Sequence, residues 1–247
     1  MTLNSILIAA LLLSPIVNAS ITEQTLVVGF GEKLPPFVFP DSNSGLTVDI
    51  ITAALTPLGY TIESRYYPYT RRVKEYKKGN IDVVADINLN TANGNILKGY
   101  LSYASYTYEN LAFALSKNNF KLSEIADLKN YSLLSWPSAA IHLGDEYTNM
   151  AKANPLYNEI HDQSLQVKFL YLDKVDVIQM DKQSFDYFRA NIKDIDTTQK
   201  IDRFPLFGKS PNGYLFKSKK VRNDFNLQLQ KLKESGKYKQ IFDGYLK

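Results

Sequence analysis

Hydrophobic positions in this chain change period repeatedly, and the changes divide it into short strands and helices. Thr25 to Phe30 is a β-branched and apolar run that reads as a strand, closed by Gly31 and the Pro35-Pro36 turn. After Gly45, the residues Val48, Ile51, Leu55 and Leu58 recur at helical spacing, with Pro57 and Gly59 marking the end. Thr61 to Tyr67 predicts a second strand, Thr70 to Lys78 a short helix, and the Gly79-Asn80 turn leads into a third strand. This β-α-β-α-β order predicts a parallel sheet with right-handed crossovers.

One phrase occurs twice: Ile81-Asp82-Val83-Val84 with Asp86 downstream, and Val175-Asp176-Val177-Ile178 with Asp181 downstream. Each reads as a buried strand with an acid just past its end. Open α/β sheets bind ligands in the crevice beside strand ends, so two such units would hold a ligand between them. Leu111 to Ser116, followed by polar Lys117-Asn118-Asn119, predicts the crossing into the second unit. There Ser123 to Leu128 reads as a short helix, Tyr131 to Ser135 as a strand, Gly144 to Ala153 as a helix, and Gln166 to Tyr171 as a strand or the start of a helix. A second crossing is expected near Phe204 to Tyr214. The tail is helical, with Val221, Phe225, Leu229 and Leu232 on one face; Gly236 separates it from a last helix holding Tyr238, Ile241 and Phe242.

The N-terminus adds a destination. Ile6 to Leu13 is unbroken apolar chain, too short to span a bilayer, and the first charged side chain is Glu23. Val17-Asn18-Ala19 forms a small-residue cleavage pattern, so residues 1–19 read as a secretory signal peptide removed after Ala19, although Lys and Arg are missing from its start. The expected location is the periplasm. With no Cys, the chain has no disulfides, no thiolate chemistry and no lipid anchor on a cysteine. A net charge of +4 with both signs interspersed points to solubility and away from nucleic acid. His142 and His161 lack metal-ligand spacing and read as solvated, and neither a Gly-x-Ser-x-Gly elbow nor a phosphate loop is present. No metal or cofactor is expected.

Five segments carry a resemblance: Leu34-Pro35-Pro36-Phe37, Gly45-Leu46-Thr47-Val48-Asp49-Ile50, Gly79-Asn80-Ile81-Asp82, Lys174-Val175-Asp176-Val177 and Leu232-Lys233-Glu234-Ser235-Gly236-Lys237-Tyr238. In this order the chain resembles the family-3 periplasmic solute-binding proteins, the polar-amino-acid receptors of ABC transporters. The resemblance implies an α/β, two-lobed periplasmic-binding-protein fold of type II, closing on its ligand like a clamp. Lobe one would comprise residues 22–109 and 208–247, and lobe two 110–207.

It also implies a site. Amino-acid-binding relatives hold the ligand carboxylate with an Arg in a Thr-x-x-Arg motif, but the matching stretch here, Thr91-Ala92-Asn93-Gly94-Asn95, has none. Arg71, which resembles the Arg of a Pro-Trp-x-Arg variant, is the candidate substitute, against a plain reading as a solvated helix-start residue; Arg72 is its neighbour. Asp181 matches the lobe-two acid that holds the ligand ammonium, the plainer alternative being a capping Asp. Asp86 stands where the family usually has Ser or Thr, so the two acids tilt the ligand toward an amine unless Arg71 or Arg72 restores the balance. Tyr69 and Trp136 are candidate ring walls, as is Phe37, for which core packing is the stronger reading. Ser138 matches a lobe-two hydrogen-bonding hydroxyl. The Tyr100, Tyr103, Tyr106 and Tyr108 run reads as packing near the hinge.

The expected function is capture of a small polar, amine-bearing or amino-acid-like solute by a monomer that delivers it to an ABC-type membrane permease, without catalysis. A sensory module presenting ligand to a membrane kinase or chemoreceptor, and a periplasmic dehydratase or lyase using Asp86 and Asp181, are the alternatives on the same fold.

Overall fold

The computed structural model describes residues 24–89, 97–137 and 139–245; the expected leader at 1–19 lies outside them. The chain begins with β1 (Gln24–Phe30), α1 (Leu46–Leu55), β2 (Tyr60–Tyr66), α2 (Tyr69–Lys78) and β3 (Val83–Asn88). Both β2 and β3 pair with β1 in parallel, as the β-α-β-α-β pattern requires. The short β4 (Tyr100–Leu101) and the long β5 (Tyr106–Leu115) follow. A second unit holds β6 (Leu133–Ser135), α3 (Ala139–His142), α4 (Asp145–Ala153), β7 (Tyr157–Glu159), α5 (Gln163–Tyr171), β8 (Val177–Asp181), α6 (Lys182–Asn191) and β9 (Ile201–Phe204). The chain then returns through β10 (Lys209–Phe216), α7 (Lys219–Glu234) and α8 (Lys237–Tyr245).

Strand order is β2-β1-β3-β10-β5-β8-β6-β7, and β5 joins the halves. Its first part, Tyr106 to Glu109, pairs antiparallel with Asn212 to Lys209, while Asn110 to Ala114 pairs antiparallel with Asp181 to Val177. One unbroken strand therefore changes its partner from β10 to β8 between Glu109 and Asn110. The return runs from β9, which pairs with the end of β5, to β10.

Each lobe is covered on both faces, which explains the apolar runs in its inner strands, such as Val83 to Ala85 of β3 and Leu111 to Leu115 of β5. In lobe one, Leu26, Val28, Phe30, Val83 and Ala85 pack against α1 and the Val221, Phe225, Leu229 and Leu232 face of α7. Ile81, Val84 and Ile87 meet Tyr76 of α2 on the other side. In lobe two, Phe113, Ile178 and Met180 pack on α5 and α6, whereas Ala112, Ala114 and Val177 pack on Tyr147 and Met150 of α4.

The repeated phrase has a structural meaning of its own. Its Asp starts each inner strand and ties that strand to a neighbour: Val27 N donates to Asp82 Oδ2 at 3.0 Å, and Ser132 N donates to Asp176 Oδ2 at 2.9 Å. The two copies thus make one local joint in each lobe.

Three elements depart from the pattern. Of the two readings open for Gln166 to Tyr171 the helix holds, but it starts earlier, at Gln163, because Asp162 caps Ser164 N. Ser123 to Leu128 is replaced by a 3-10 stretch, Ile125–Asn130, fixed by a Glu124–Asp127 capping box. The amphipathic pattern does not announce α6, which buries only Ser184 and Phe185. No helix among the described residues is long and apolar enough to cross a membrane.

Asp82→Ala and Asp176→Ala should each leave a backbone N–H without its acceptor and cost about 1–3 kcal/mol. Urea unfolding measures this, and an unchanged midpoint in either variant would contradict the shared joint.

Candidate functional site

The third strand does not run straight. Gly213 faces Ile87 and Leu215 faces Val84, so Ala85 and Asp86 together oppose Tyr214 in a β-bulge. The extra residue shifts the side-chain parity, which is why Val84 and Ile87 share one core cluster. Asp86 takes the strain with φ of 68°, in the left-handed region. It lies within β3, not past its end as the sequence pattern suggested.

The bulge aims Asp86 at a guanidinium and a phenol. Tyr106 Oη donates to Asp86 Oδ1 at 3.1 Å, and Arg72 Nη2 lies 3.7 Å from Oδ2. Arg72 is only 3% exposed; its Nη1 donates to Ala85 O at 2.8 Å, while its buried Nε has no hydrogen-bond partner among the described residues. Gly29 makes the approach possible, since a Cβ there would stand 2.5 Å from Ile81 Cδ1 and 3.0 Å from Arg72 Cγ. Arg71, the sequence candidate, is exposed one helical step away, its guanidinium 4.7 Å from the Tyr67 ring centroid.

Asp181 ends β8 and caps α6. Oδ1 accepts from Gln183 N at 2.8 Å and Ser184 N at 3.1 Å; Oδ2 accepts from Glu109 N at 2.9 Å, across the junction with β5. Burial pushes its pKa up to about 6, outweighing these three donors. Tyr108 follows Tyr106 on β5, and its hydroxyl is pushed well above its ordinary value first by burial, then by the charges of Asp86 and Asp181. The acids following the two copies of the phrase therefore both reach β5 near the crossing, Asp86 through Tyr106 Oη and Asp181 through Glu109 N.

The remaining candidates divide. Phe37 is fully buried and packs on Tyr106 at 5.7 Å and Tyr108 at 4.6 Å between ring centroids, so its ring is core. Tyr69 is 48% exposed and lies edge-on to His142, which stacks on Trp136. Ser138 and residues 91–95 of the arginine-less stretch lie outside the described residues. Sequence reading missed Tyr106 as a partner of Asp86, treating it as hinge packing; its solvated reading of His142 agrees with that residue's exposure but did not foresee the ring contacts with Tyr69 and Trp136. Gly29 and Gly31, flanking the end of β1 beside the Arg72 side chain, were the available signal for the buried arginine. Among the described residues, no group of three acids or histidines is placed to hold a metal ion.

A family model described as bacterial extracellular solute-binding proteins, family 3, matches residues 26–247. The chain belongs to this family. Curated protein sequences give no significant match. Among solved structures, this family-3 protein is similar to a histidine kinase sensor domain with similarity to periplasmic binding proteins (19% identity, TM-score 0.68, covering 91% of this chain and 96% of the other). It is also similar to an ancestral arginine-binding protein bound to arginine (21%, 0.66, 90% and 98%). A third is an ABC uptake transporter substrate-binding protein from Streptococcus pneumoniae with bound histidine (14%, 0.67, 91% and 93%). These likenesses show the periplasmic-binding-protein fold.

In this family-3 protein Asp181 also sets a pH dependence. Its folded pKa of about 6 lies above the ordinary 3.8, so between these values the native state holds more protons than the unfolded chain. The group's contribution is full below pH about 4 and is lost as pH rises through about 6, a change on the order of 3 kcal/mol. Denaturant titrations of wild type and Asp181→Asn across this window should show a steeper loss in wild type; parallel curves would contradict the assignment.

Proposed function

We propose that this chain is an exported receptor that captures a small polar, amine-bearing or amino-acid-like solute between two lobes for an ABC-type uptake system. The carrying observation is that Asp86, which accepts from Tyr106 Oη, and Asp181, which accepts from Glu109 N, flank the β5 crossing from its two sides. In this reading lobe one comprises residues 22–109 and 208–247, lobe two comprises 110–207, and closure bends the chain at Glu109 and Asn110 and again between β9 and β10.

Charge selects the solute. Asp86 is offset by Arg72, whereas Asp181 has no cationic partner among the described residues. A ligand ammonium supplies that partner through a charge-assisted hydrogen bond, using lone pairs that the backbone N–H groups leave over. Arg72, in place of an arginine after Thr91, offers a guanidinium to a carboxylate. The bound arginine and histidine in similar structures accord with a zwitterion of this size. No turnover is expected. The likeness to a kinase sensor domain favours a second output, presentation of the same ligand to a membrane kinase, which autophosphorylation assays separate from permease-coupled ATP hydrolysis.

Export would remove the apolar leader after Ala19, so intact mass of protein recovered from the periplasm should lack residues 1–19. Retention of Met1 to Ala19 would contradict it.

Titration calorimetry with amino acids, polyamines and amine-free carboxylates should show binding confined to the amine-bearing solutes. Asp181→Ala should cost about 2–5 kcal/mol of that binding. Wild-type affinity should also fall below pH about 6, where Asp181 takes up a proton. Equal binding of amine-free acids, or wild-type affinity in Asp181→Ala, would overturn the reading.

A further inference from the structure

Away from the crossing strands, rings from the two lobes meet at two places. On one side Ser184 Oγ donates to Pro35 O at 2.8 Å, and the Phe39 and Tyr187 centroids are 5.5 Å apart. On the other, Tyr69 at the start of α2 faces His142 at the end of α3, centroids 6.5 Å apart at 82°. His142 in turn stacks on Trp136 at 5.6 Å and 25°. Both spacings fall within the range of attractive ring pairs.

The row is anchored from both ends. Trp136 O accepts from Ala139 N at 3.1 Å, which fixes the indole-bearing turn to α3, and the Arg72 guanidinium lies 5.5 Å from the Tyr69 centroid on lobe one. Core packing does not account for it, because Tyr69 and His142 are both exposed. The Trp136 face that the sequence offers to a ligand cation is instead covered by His142.

We propose that His142 is a binding-site residue that closes the mouth of the cleft. Backed by Trp136 on lobe two, it meets Tyr69 on lobe one, so the pocket is shut by a ring contact between lobes as well as by the captured solute. A solute enclosed behind this contact is compact, of single amino-acid size; an extended peptide would hold Tyr69 and His142 apart. The inference rests on the two-lobed capture reading above.

Trp136 is the chain's sole tryptophan, so acrylamide quenching of its emission reads this site alone. Loss of either partner ring should shift the closed-to-open ratio by about 2- to 10-fold, the span expected for one aromatic pair. Tyr69→Leu, although on the opposite lobe, should therefore raise Trp136 accessibility and enlarge the solution-scattering radius. The same substitution should do neither in a His142→Ala background, and His142→Phe should restore the coupling. Circular dichroism confirms that each variant is folded. If Tyr69→Leu leaves quenching and radius at wild-type values, the proposal is overturned. It is equally overturned if only His142→Ala changes quenching, since His142 would then shield Trp136 within its own lobe. These measurements use no solute, so their failure leaves the calorimetric test of capture standing.

Discussion

The hydrogen bond from Glu109 N to Asp181 Oδ2 sits where one strand serves two half-sheets, and the rest of the site is arranged around it. Because β5 is continuous, the lobes cannot change their angle without altering backbone beside Glu109 and Asn110. Asp181 holds that backbone with one oxygen and the start of α6 with the other. A buried acid whose hydrogen-bond partners among the described residues are backbone N–H groups alone keeps a demand for positive charge, and burial pushes its pKa up. A cationic group arriving in the cleft would thus act on the residue that grips the pivot.

Lobe one answers with a balanced pair. The bulge at Asp86 places a non-glycine residue in left-handed backbone, which costs about 1–3 kcal/mol, and Arg72 is buried with an Nε unpartnered among the described residues. Neither feature helps the fold by itself. Such departures collect at sites where geometry serves binding, and here the bulge lies within β3 while the Arg72 side chain lies beside Gly29 and Gly31 at the end of β1. Gly29 makes room for the arginine and Tyr106 orients the acid.

Much of this was legible in the chain. The apolar faces of α1 and α7, the parallel opening and the doubled phrase identify two α/β units, because period and β-branching respond to burial. The phrase pointed to its downstream acids, Asp86 and Asp181, as the candidates; that its own Asp82 and Asp176 serve as structural joints was not legible in it. Choosing between Arg71 and Arg72 needed the phase of α2 against the sheet, a matter of about 100° per residue that two adjacent arginines cannot reveal. Tyr106 looked like packing because a tyrosine serves core and site with the same ring. The meeting of Tyr69 with His142 depends on how two lobes lie together, which no local pattern encodes.

The most direct test of capture at the crossing is a backbone-amide NMR titration with the tightest amine-bearing solute found by calorimetry. Binding between the lobes predicts the largest shifts at Ala85, Asp86 and Ile87 in the bulge together with Glu109, Gln183 and Ser184 around Asp181. Shifts confined to one lobe, or centred on the outer face of α6 near Arg189 and Thr197, would contradict it.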